Sequence, residues 1–186
     1  MLRAGDVTKT KLKVTNVIPL KPIASSDSPR EILAADYGNM GGILPIKGGW
    51  GYTKEDACII DKNDPVADKN MPFNGVAIEY SFIERRIWEE MIVFRRKDER
   101  FAGIKWILLN QELVHGNGRF YDMLEFEITA LPRQVWEALK SEWEGPNGYG
   151  SDGFDEDEHE IRRARSQVTI TREFWFDITS FFGKQG

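Results

Sequence analysis

The sequence predicts an α+β fold: one domain with a mostly antiparallel or mixed sheet of about five to six strands and one or two helices packed on one face. Two patterns lead to this prediction. Residues 103–130 have the pattern of a hairpin of two long strands, and residues 132–144, directly after it, have that of an amphipathic helix. Strand and helix patterns do not alternate along the chain as they do in βαβ units, so a doubly wound parallel sheet is not expected.

Composition places the chain among acidic globular proteins. Its 186 residues are 41% hydrophobic and 30% charged, with 30 acidic against 25 basic side chains and a net charge of −5. An apolar content of this size can offset the entropy lost when a core becomes ordered. An acidic chain without a long basic run is a poor candidate for sequence-independent nucleic-acid binding, which relies on lysine and arginine, so we expect no nucleic-acid partner.

Cysteine content and hydropathy indicate the compartment. Cys58 is the only cysteine, so no disulfide can form within the chain. No apolar run approaches the roughly 20 residues that span a bilayer, and the first residues lack the pattern of a signal peptide. We therefore expect a cytoplasmic protein that does not bind membranes.

The N-terminal half of the chain contains short elements. Residues 1–10 are polar and aperiodic and are expected to form a loose N-terminal tail, with residues 11–186 as a single globular domain. Strand patterns cover Lys11–Leu20 and Ala57–Ile60, and a short helix pattern runs over residues 28–36.

Residues 75–94 combine two patterns. From 75 to 82, apolar residues alternate with small or polar ones, which predicts a strand. From 83 to 94, apolar residues recur every four positions, and Arg85 and Arg86 each precede a glutamate by four residues. That spacing favours an amphipathic helix with ion pairs on its solvent face over a long bulged strand.

The hairpin is the clearest local signal. Strand patterns over Gly103–Val114 and Arg119–Ala130 are joined by a turn that contains Asn117 and Gly118. The pair Asn-Gly tolerates the positive φ angles of a type I′ turn. The first strand has apolar residues at both parities, including Trp106, so we expect it to be central and covered on both faces.

The C-terminal third follows a helix, loop and strand pattern. The helix over 132–144 begins at a proline and precedes a glycine, the usual residues at a helix start and end. An acidic glycine-rich loop at 145–160 comes next, followed by one or two helical turns and a strand over 167–179. Trp175 shares one face of that strand with acidic residues and threonines, so either the 132–144 helix covers it or it is partly exposed.

No catalytic or metal-binding motif stands out. The glycine-rich segment 48–54 fits neither the P-loop nor the dinucleotide-binding spacing, and neither a zinc-ligand spacing nor a nucleophile elbow occurs. We expect no cofactor and no bound metal. The alternative is a hydrolase or transferase with a carboxylate or metal-assisted site, whose candidate residues would be Asp61, Asp64, Asp155, Asp157 and His159.

The sequence favours a non-enzymatic protein-binding module of an immunity, antitoxin or regulatory type. The candidate binding residues are Trp175, Trp50, Tyr52, Asp155, Asp157 and Glu158. The acidic run among them would attract a basic protein partner, and an exposed tryptophan would supply the desolvated contact.

The two aromatic residues of segment 48–54 leave two interpretations open. Trp50 and Tyr52 either pack on the core as part of a turn or contact a ligand directly. A ligand contact at the mouth of a cavity would suit a carrier of small molecules, which is a further alternative to the protein-binding module.

Overall fold

The fold is built on one five-stranded mixed sheet. The computed structural model describes residues 22, 23, 25, 27–37, 43–67, 69, 70 and 72–183. In chain order the elements are α1 (Pro29–Tyr37), β1 (Ile46–Gly48), β2 (Cys58–Ile60), α2 (Gly75–Trp88), a π-helical turn (Glu89–Val93), a 3-10 turn (Lys97–Glu99), β3 (Phe101–Gly116), β4 (Arg119–Pro132), α3 (Arg133–Glu144), α4 (Glu156–Ser166) and β5 (Val168–Asp177). The α+β prediction is confirmed. The tail predicted over 1–10 and the strand predicted over 11–20 lie outside the described residues.

Among the strands of the described residues, β3 lies at an edge of the sheet, which corrects the prediction that it is central. The strand order is β1-β2-β5-β4-β3, with β2 and β5 parallel and the other neighbours antiparallel. The apolar residues in the middle of β3 stay in solvent: Ile107 is 58% exposed and Leu109 is 49% exposed. Apolar residues at both parities indicated coverage on two faces, but within the described residues no strand pairs beyond β3, and these side chains are exposed.

The hairpin turn itself is confirmed. Asn117 and Gly118 connect β3 to β4 with φ angles of 53° and 70°, the positive values that the Asn-Gly pair predicted.

Residues 75–82 begin a helix, which corrects the predicted strand. Asn74 caps α2, and its Oδ1 accepts a hydrogen bond from the backbone N of Ala77 at 3.1 Å. Ile78 and Phe82 lie one helical turn apart on the buried face. The alternation of apolar residues over this segment is therefore the start of a helical stripe, not of a strand face.

Of residues 83–94, which were predicted to be helical, 83–93 are helical, first in α2 and then in the π-helical turn. Arg85 pairs with Glu89 and Arg86 pairs with Glu90. Both glutamates and Arg86 are buried, so these pairs lie inside the protein and not on a solvent face. A buried ion pair persists when its charges and hydrogen bonds are matched within the protein.

The core lies between α2 and one face of the sheet. The even-numbered residues of β4 and β5 point toward it, among them Leu124, Phe126, Ile128, Phe174 and Phe176. Phe82 of α2 meets this layer with its ring centroid 5.4 Å from that of Phe176. Cys58 of β2 is fully buried, and burial raises the pKa of its thiol, so the thiolate is disfavoured and the side chain is inert.

The acidic run predicted as part of a loop at 145–160 is the start of helix α4. Asp155 is its N-cap, with Oδ1 accepting a hydrogen bond from the backbone N of Glu158 at 2.9 Å. Carboxylates near a helix N-terminus interact favourably with the helix dipole, which offsets their mutual repulsion. The preceding turns are packed by aromatic residues, with the rings of Trp143 and Tyr149 stacked at 4.3 Å.

Helix α3 and strand β5 lie where the sequence predicted a helix and the last strand. Within the described part of the chain, no helix combines the length and the apolar character that crossing a bilayer requires.

Candidate binding surface

A buried arginine fixes the glycine-rich segment against the sheet. Arg86 of α2 is 1% exposed, and its Nη1 lies 3.1, 2.9 and 3.1 Å from the carbonyl oxygens of Trp50, Gly51 and Glu173. Its Nε donates to Oε1 of Glu90 at 2.8 Å. One side chain thus links α2, the glycine-rich segment and β5, and the paired carboxylate balances its charge.

Trp50 and Tyr52 pack around this arginine. Trp50 is 8% exposed, and the Arg86 guanidinium lies 3.8 Å from the ring centroid of Tyr52. The Tyr52 hydroxyl accepts a hydrogen bond from the backbone N of Ile23 at 2.9 Å. Burial, the largest cause, raises the pKa of Tyr52 to about 12, so the phenol stays neutral. These contacts suit the core-packing interpretation, and a ligand contact for either ring stays a prediction.

Trp175 lies on the sheet face opposite the core. It is paired with Met123 of the neighbouring strand β4, and its indole Nε1 donates a hydrogen bond to Oε2 of Glu173 at 2.9 Å. Its backbone N donates to the carbonyl oxygen of Gly51 at 3.0 Å. Helix α3 makes its main contacts with β3, β4 and α4, and Trp175 is only partly buried. Partial exposure is therefore the option that the fold adopts.

Acidic side chains surround Trp175 on this face. The acidic sheet face, as we call it, consists of Glu112, Glu125, Glu127 and Glu173. Glu125 lies directly opposite Glu173, and Glu112 lies opposite Met123, the residue paired with Trp175. Like charges directly opposite each other on neighbouring strands are destabilising. The sequence showed Trp175 beside Glu173, but only the strand register brings Glu112 and Glu125 to the same place.

The acidic residues predicted for partner binding lie elsewhere. Asp155, Asp157 and Glu158 are exposed in and just before the first turn of α4, which makes its main contacts with α3 and β4. Trp175 belongs to β5 and adjoins the glycine-rich segment. The predicted binding residues thus fall into two groups, Trp175 with the glycine-rich segment and the acidic run at α4, and the carboxylate that contacts the Trp175 indole is that of Glu173.

The candidates for the hydrolase alternative have structural partners. Asp61 accepts a hydrogen bond from Lys47 Nζ at 2.7 Å, a contact that lowers the pKa of Asp61. Asp64 pairs with Arg30, and His159 is buried against aromatic side chains. No group of three or more His, Cys, Asp or Glu residues in the described ranges is arranged to hold a metal ion.

Two buried carboxyl groups were missed by the sequence analysis. Glu79 of α2 is 2% exposed, and Asp122 of β4 accepts a hydrogen bond from Gln111 Nε2 at 2.6 Å. Burial, with a smaller contribution from Asp122, raises the pKa of Glu79 to about 8, and burial also raises the pKa of Asp122. Glu79 therefore retains its proton at neutral pH. As part of a predicted strand it belonged to the polar face, whereas the helix turns it inward.

An apolar groove that holds three tryptophans was missed as well. It measures about 680 Å³ and lies between α2, β3 and α3. Trp88 is 51% exposed there, and Trp106 and Trp136 form partly buried walls. Gly103 has a φ of +59°, and a Cβ at this position would lie 3.0 Å from the Trp136 ring. The sequence analysis expected Trp106 to be covered because it placed β3 in the middle of the sheet.

Comparison of the chain with protein-family models, with curated proteins and with solved structures finds no match. The function is therefore inferred from the geometry of the chain itself.

Proposed function

We propose that this chain is a non-enzymatic protein-binding module that docks a basic protein on its acidic sheet face. Trp175 is the anchor of this contact, and an immunity, antitoxin or regulatory role is the kind of function that it serves. The partner is a protein and not a nucleic acid, and the encounter takes place in the cytoplasm.

The observation that supports the proposal most directly is the direct opposition of Glu125 and Glu173 beside a partly exposed Trp175. A repulsive cross-strand pair lowers the stability of the sheet. A partner that brings lysine or arginine side chains to this face would relieve that repulsion. The repulsion between the two glutamates destabilises the free protein but not the complex, and this difference in free energy favours binding.

Trp175 is suited to the anchoring role. Tryptophan and arginine are the residues most often found at the energetic centre of protein interfaces. The indole is held in place by its hydrogen bond to Glu173 and by the backbone contact with Gly51. An aromatic ring that is already positioned loses little conformational entropy when a partner covers it.

The experiment compares three proteins as bait in quantitative affinity purification from cells that contain the native gene. They are the wild type, the double variant Glu125→Gln/Glu173→Gln, and the matched control Glu55→Gln/Glu84→Gln, which removes two exposed charges that are not among the four of the acidic sheet face. The proposal expects a basic protein that the wild type and the control retain and the double variant loses. The captured protein, once purified, should bind the wild type less tightly as ionic strength rises.

Two results would contradict the proposal. One is a partner that binds the double variant as tightly as the wild type, because the acidic sheet face would then be outside the interface. The other is turnover of a small substrate by the purified chain, which would support the hydrolase or transferase alternative.

A further inference from the structure

No strand of the described part of the chain pairs with the outer edge of β3, and this long edge carries few of the features that usually protect an edge strand. β3 runs for 16 residues at one end of the sheet. Four of its apolar residues are at least 40% exposed: Ile107, Leu108, Leu109 and Leu113. The strand contains no proline, and its two charged residues are Lys105 and Glu112. Natural edge strands are usually short or carry charges that repel another strand.

The two charges of β3 are placed symmetrically. Lys105 and Glu112 are equally far in sequence from the point between Leu108 and Leu109. An antiparallel strand that pairs about this point places Lys105 opposite Glu112 of a second copy, and Glu112 opposite its Lys105. Opposite charges in directly facing positions stabilise a strand pair. A strand with charges of only one sign would repel its own copy. β3 has one charge of each sign, so this repulsion does not arise.

The bulge in β3 makes the two facing side chains point to the same side. The pairing with β4 shifts between Leu108 and Asn110. As a result, Lys105 faces Thr129 and Glu112 faces Met123, which both lie on the sheet face opposite the core. Without the extra residue, positions seven apart would point to opposite faces, because side chains alternate along a strand. The bulge therefore allows Lys105 and Glu112 to meet on the same side of the sheet when two copies of β3 pair in this register.

We propose that the β3 edge is the interface for a second copy of this chain. Two β3 strands pair antiparallel about the point between Leu108 and Leu109, and the two sheets become one ten-stranded sheet. The paired segment, residues 104–113, would span about 33 Å. It covers the exposed leucines near the two-fold axis and forms two Lys105–Glu112 pairs, one on each side of that axis. This inference rests on the β3 edge and shares one residue, Glu112, with the acidic sheet face of the proposed function.

The experiment measures the association state of the full chain by sedimentation velocity over a range of concentrations. The wild type is expected to dimerise. Lys105→Glu and Glu112→Lys each place like charges opposite each other twice in the dimer, so each should raise the dissociation constant by roughly tenfold or more. The double variant Lys105→Glu/Glu112→Lys restores opposite charges and should recover the dimer. Lys97→Glu, a charge reversal at an exposed residue of the 3-10 turn, is the matched control.

Glu125→Gln/Glu173→Gln should leave the dimer intact, which separates this test from that of the proposed function. A melting curve of every variant checks that each one is folded. A wild type that stays monomeric at all concentrations overturns the inference, and so does a dimer that neither single reversal weakens. Hydrogen exchange gives a third test. If the β3 amides become protected only when a different protein is added, that protein occupies the edge and the inference is overturned.

Discussion

Glu125 and Glu173 lie directly opposite each other on β4 and β5, on the sheet face that points away from the core. Glu173 also accepts the hydrogen bond from the Trp175 indole, at 2.9 Å. The Glu173 carboxylate, which faces the like charge of Glu125, is thus also the group that orients the Trp175 indole. We infer that the free protein is less stable than the same sheet without this pair of charges.

The first prediction tests that cost. Glu125→Gln should raise the free energy of unfolding at neutral pH by roughly 0.2–1 kcal/mol, because it removes a like charge from a directly facing pair. It leaves the Glu173–Trp175 hydrogen bond untouched. Urea unfolding of the wild type and the variant at low and high salt gives the measurement, and the gain should shrink at high salt, which screens the repulsion. Glu55→Gln is the control, and an equal gain there would contradict the explanation.

The second prediction rests on the proposed function and separates anchoring from steering. Trp175→Ala should mainly increase the dissociation rate of the basic partner, roughly thirtyfold. This corresponds to a loss of about 2 kcal/mol of binding free energy, as expected of an interface hot spot. Asp157→Asn/Glu158→Gln on α4 should mainly slow association and reduce its salt dependence, because exposed charges away from the contact act on encounter. Surface plasmon resonance at two ionic strengths measures both rates. An unchanged dissociation rate for Trp175→Ala would remove Trp175 from the interface.

The third prediction concerns pH and Glu79. The pKa of Glu79 is about 8 in the folded protein, against 4.5 as its ordinary value. The folded state therefore holds this proton more tightly than the unfolded state, and stability falls as the pH rises from about 4.5 to about 8. Glu79→Gln removes the titrating group. It should leave stability nearly unchanged at the acidic end and raise it by up to about 4 kcal/mol at the basic end.

Chemical unfolding of the wild type and Glu79→Gln across this pH range provides the measurement. Asp122, whose pKa is also raised by burial, remains in both proteins, so the difference between them isolates Glu79. A gain of equal size at every pH would mean that the substitution acts through packing and not through ionisation.

The sequence predicted those elements whose patterns are local. The Asn117–Gly118 turn, helix α3 and the last strand all depend on residues close together in the chain, and all three are found. The segment 75–82 was predicted wrongly because its apolar residues fit both a strand and a helix over so short a length. The Asn74 cap, which decides between the two, lay in what the sequence analysis called a loop.

The place of β3 in the sheet could not be read from the sequence, because strand order depends on which strands meet in space. The same limit hid the candidate binding surface. Glu125 and Glu173 lie 48 positions apart in the chain, and only the β4–β5 register places them opposite each other. Glu79 and Asp122 likewise become neighbours only because α2 is helical and packs on the core side of β4.

The fourth prediction uses Trp106 to test the edge position of β3. Trp106 is half-buried at the open side of the sheet, so Trp106→Ala should cost only about 1–2 kcal/mol, less than the transfer and cavity cost of a fully buried ring. Phe126 of β4 faces the core and is 2% exposed, so Phe126→Ala should cost about 3–5 kcal/mol. Urea unfolding compares the two. Equal losses would indicate that Trp106 is covered as a residue of a central strand would be.

The last prediction concerns Gly103, which lies at a second register shift of the β3–β4 pairing, between Ala102 and Lys105, and against Trp136. Its φ of +59° is unfavourable for a residue with a Cβ, and that Cβ would lie 3.0 Å from two carbons of the Trp136 ring. Gly118 has a similar φ of +70°, but a Cβ there would meet no atom within 4 Å. Gly118→Ala should therefore cost only the backbone strain, about 1 kcal/mol.

Gly103→Ala should cost that strain and also displace the Trp136 ring, which destabilises the protein further and changes the indole fluorescence. Trp136→Leu provides the remaining step, because a smaller side chain leaves room for the added methyl group. In the Trp136→Leu background the cost of Gly103→Ala should fall to that of Gly118→Ala, and the difference measures the coupling between Gly103 and Trp136. If Gly103→Ala costs the same with either residue at position 136, the ring does not rest on Gly103, and backbone strain alone explains the glycine.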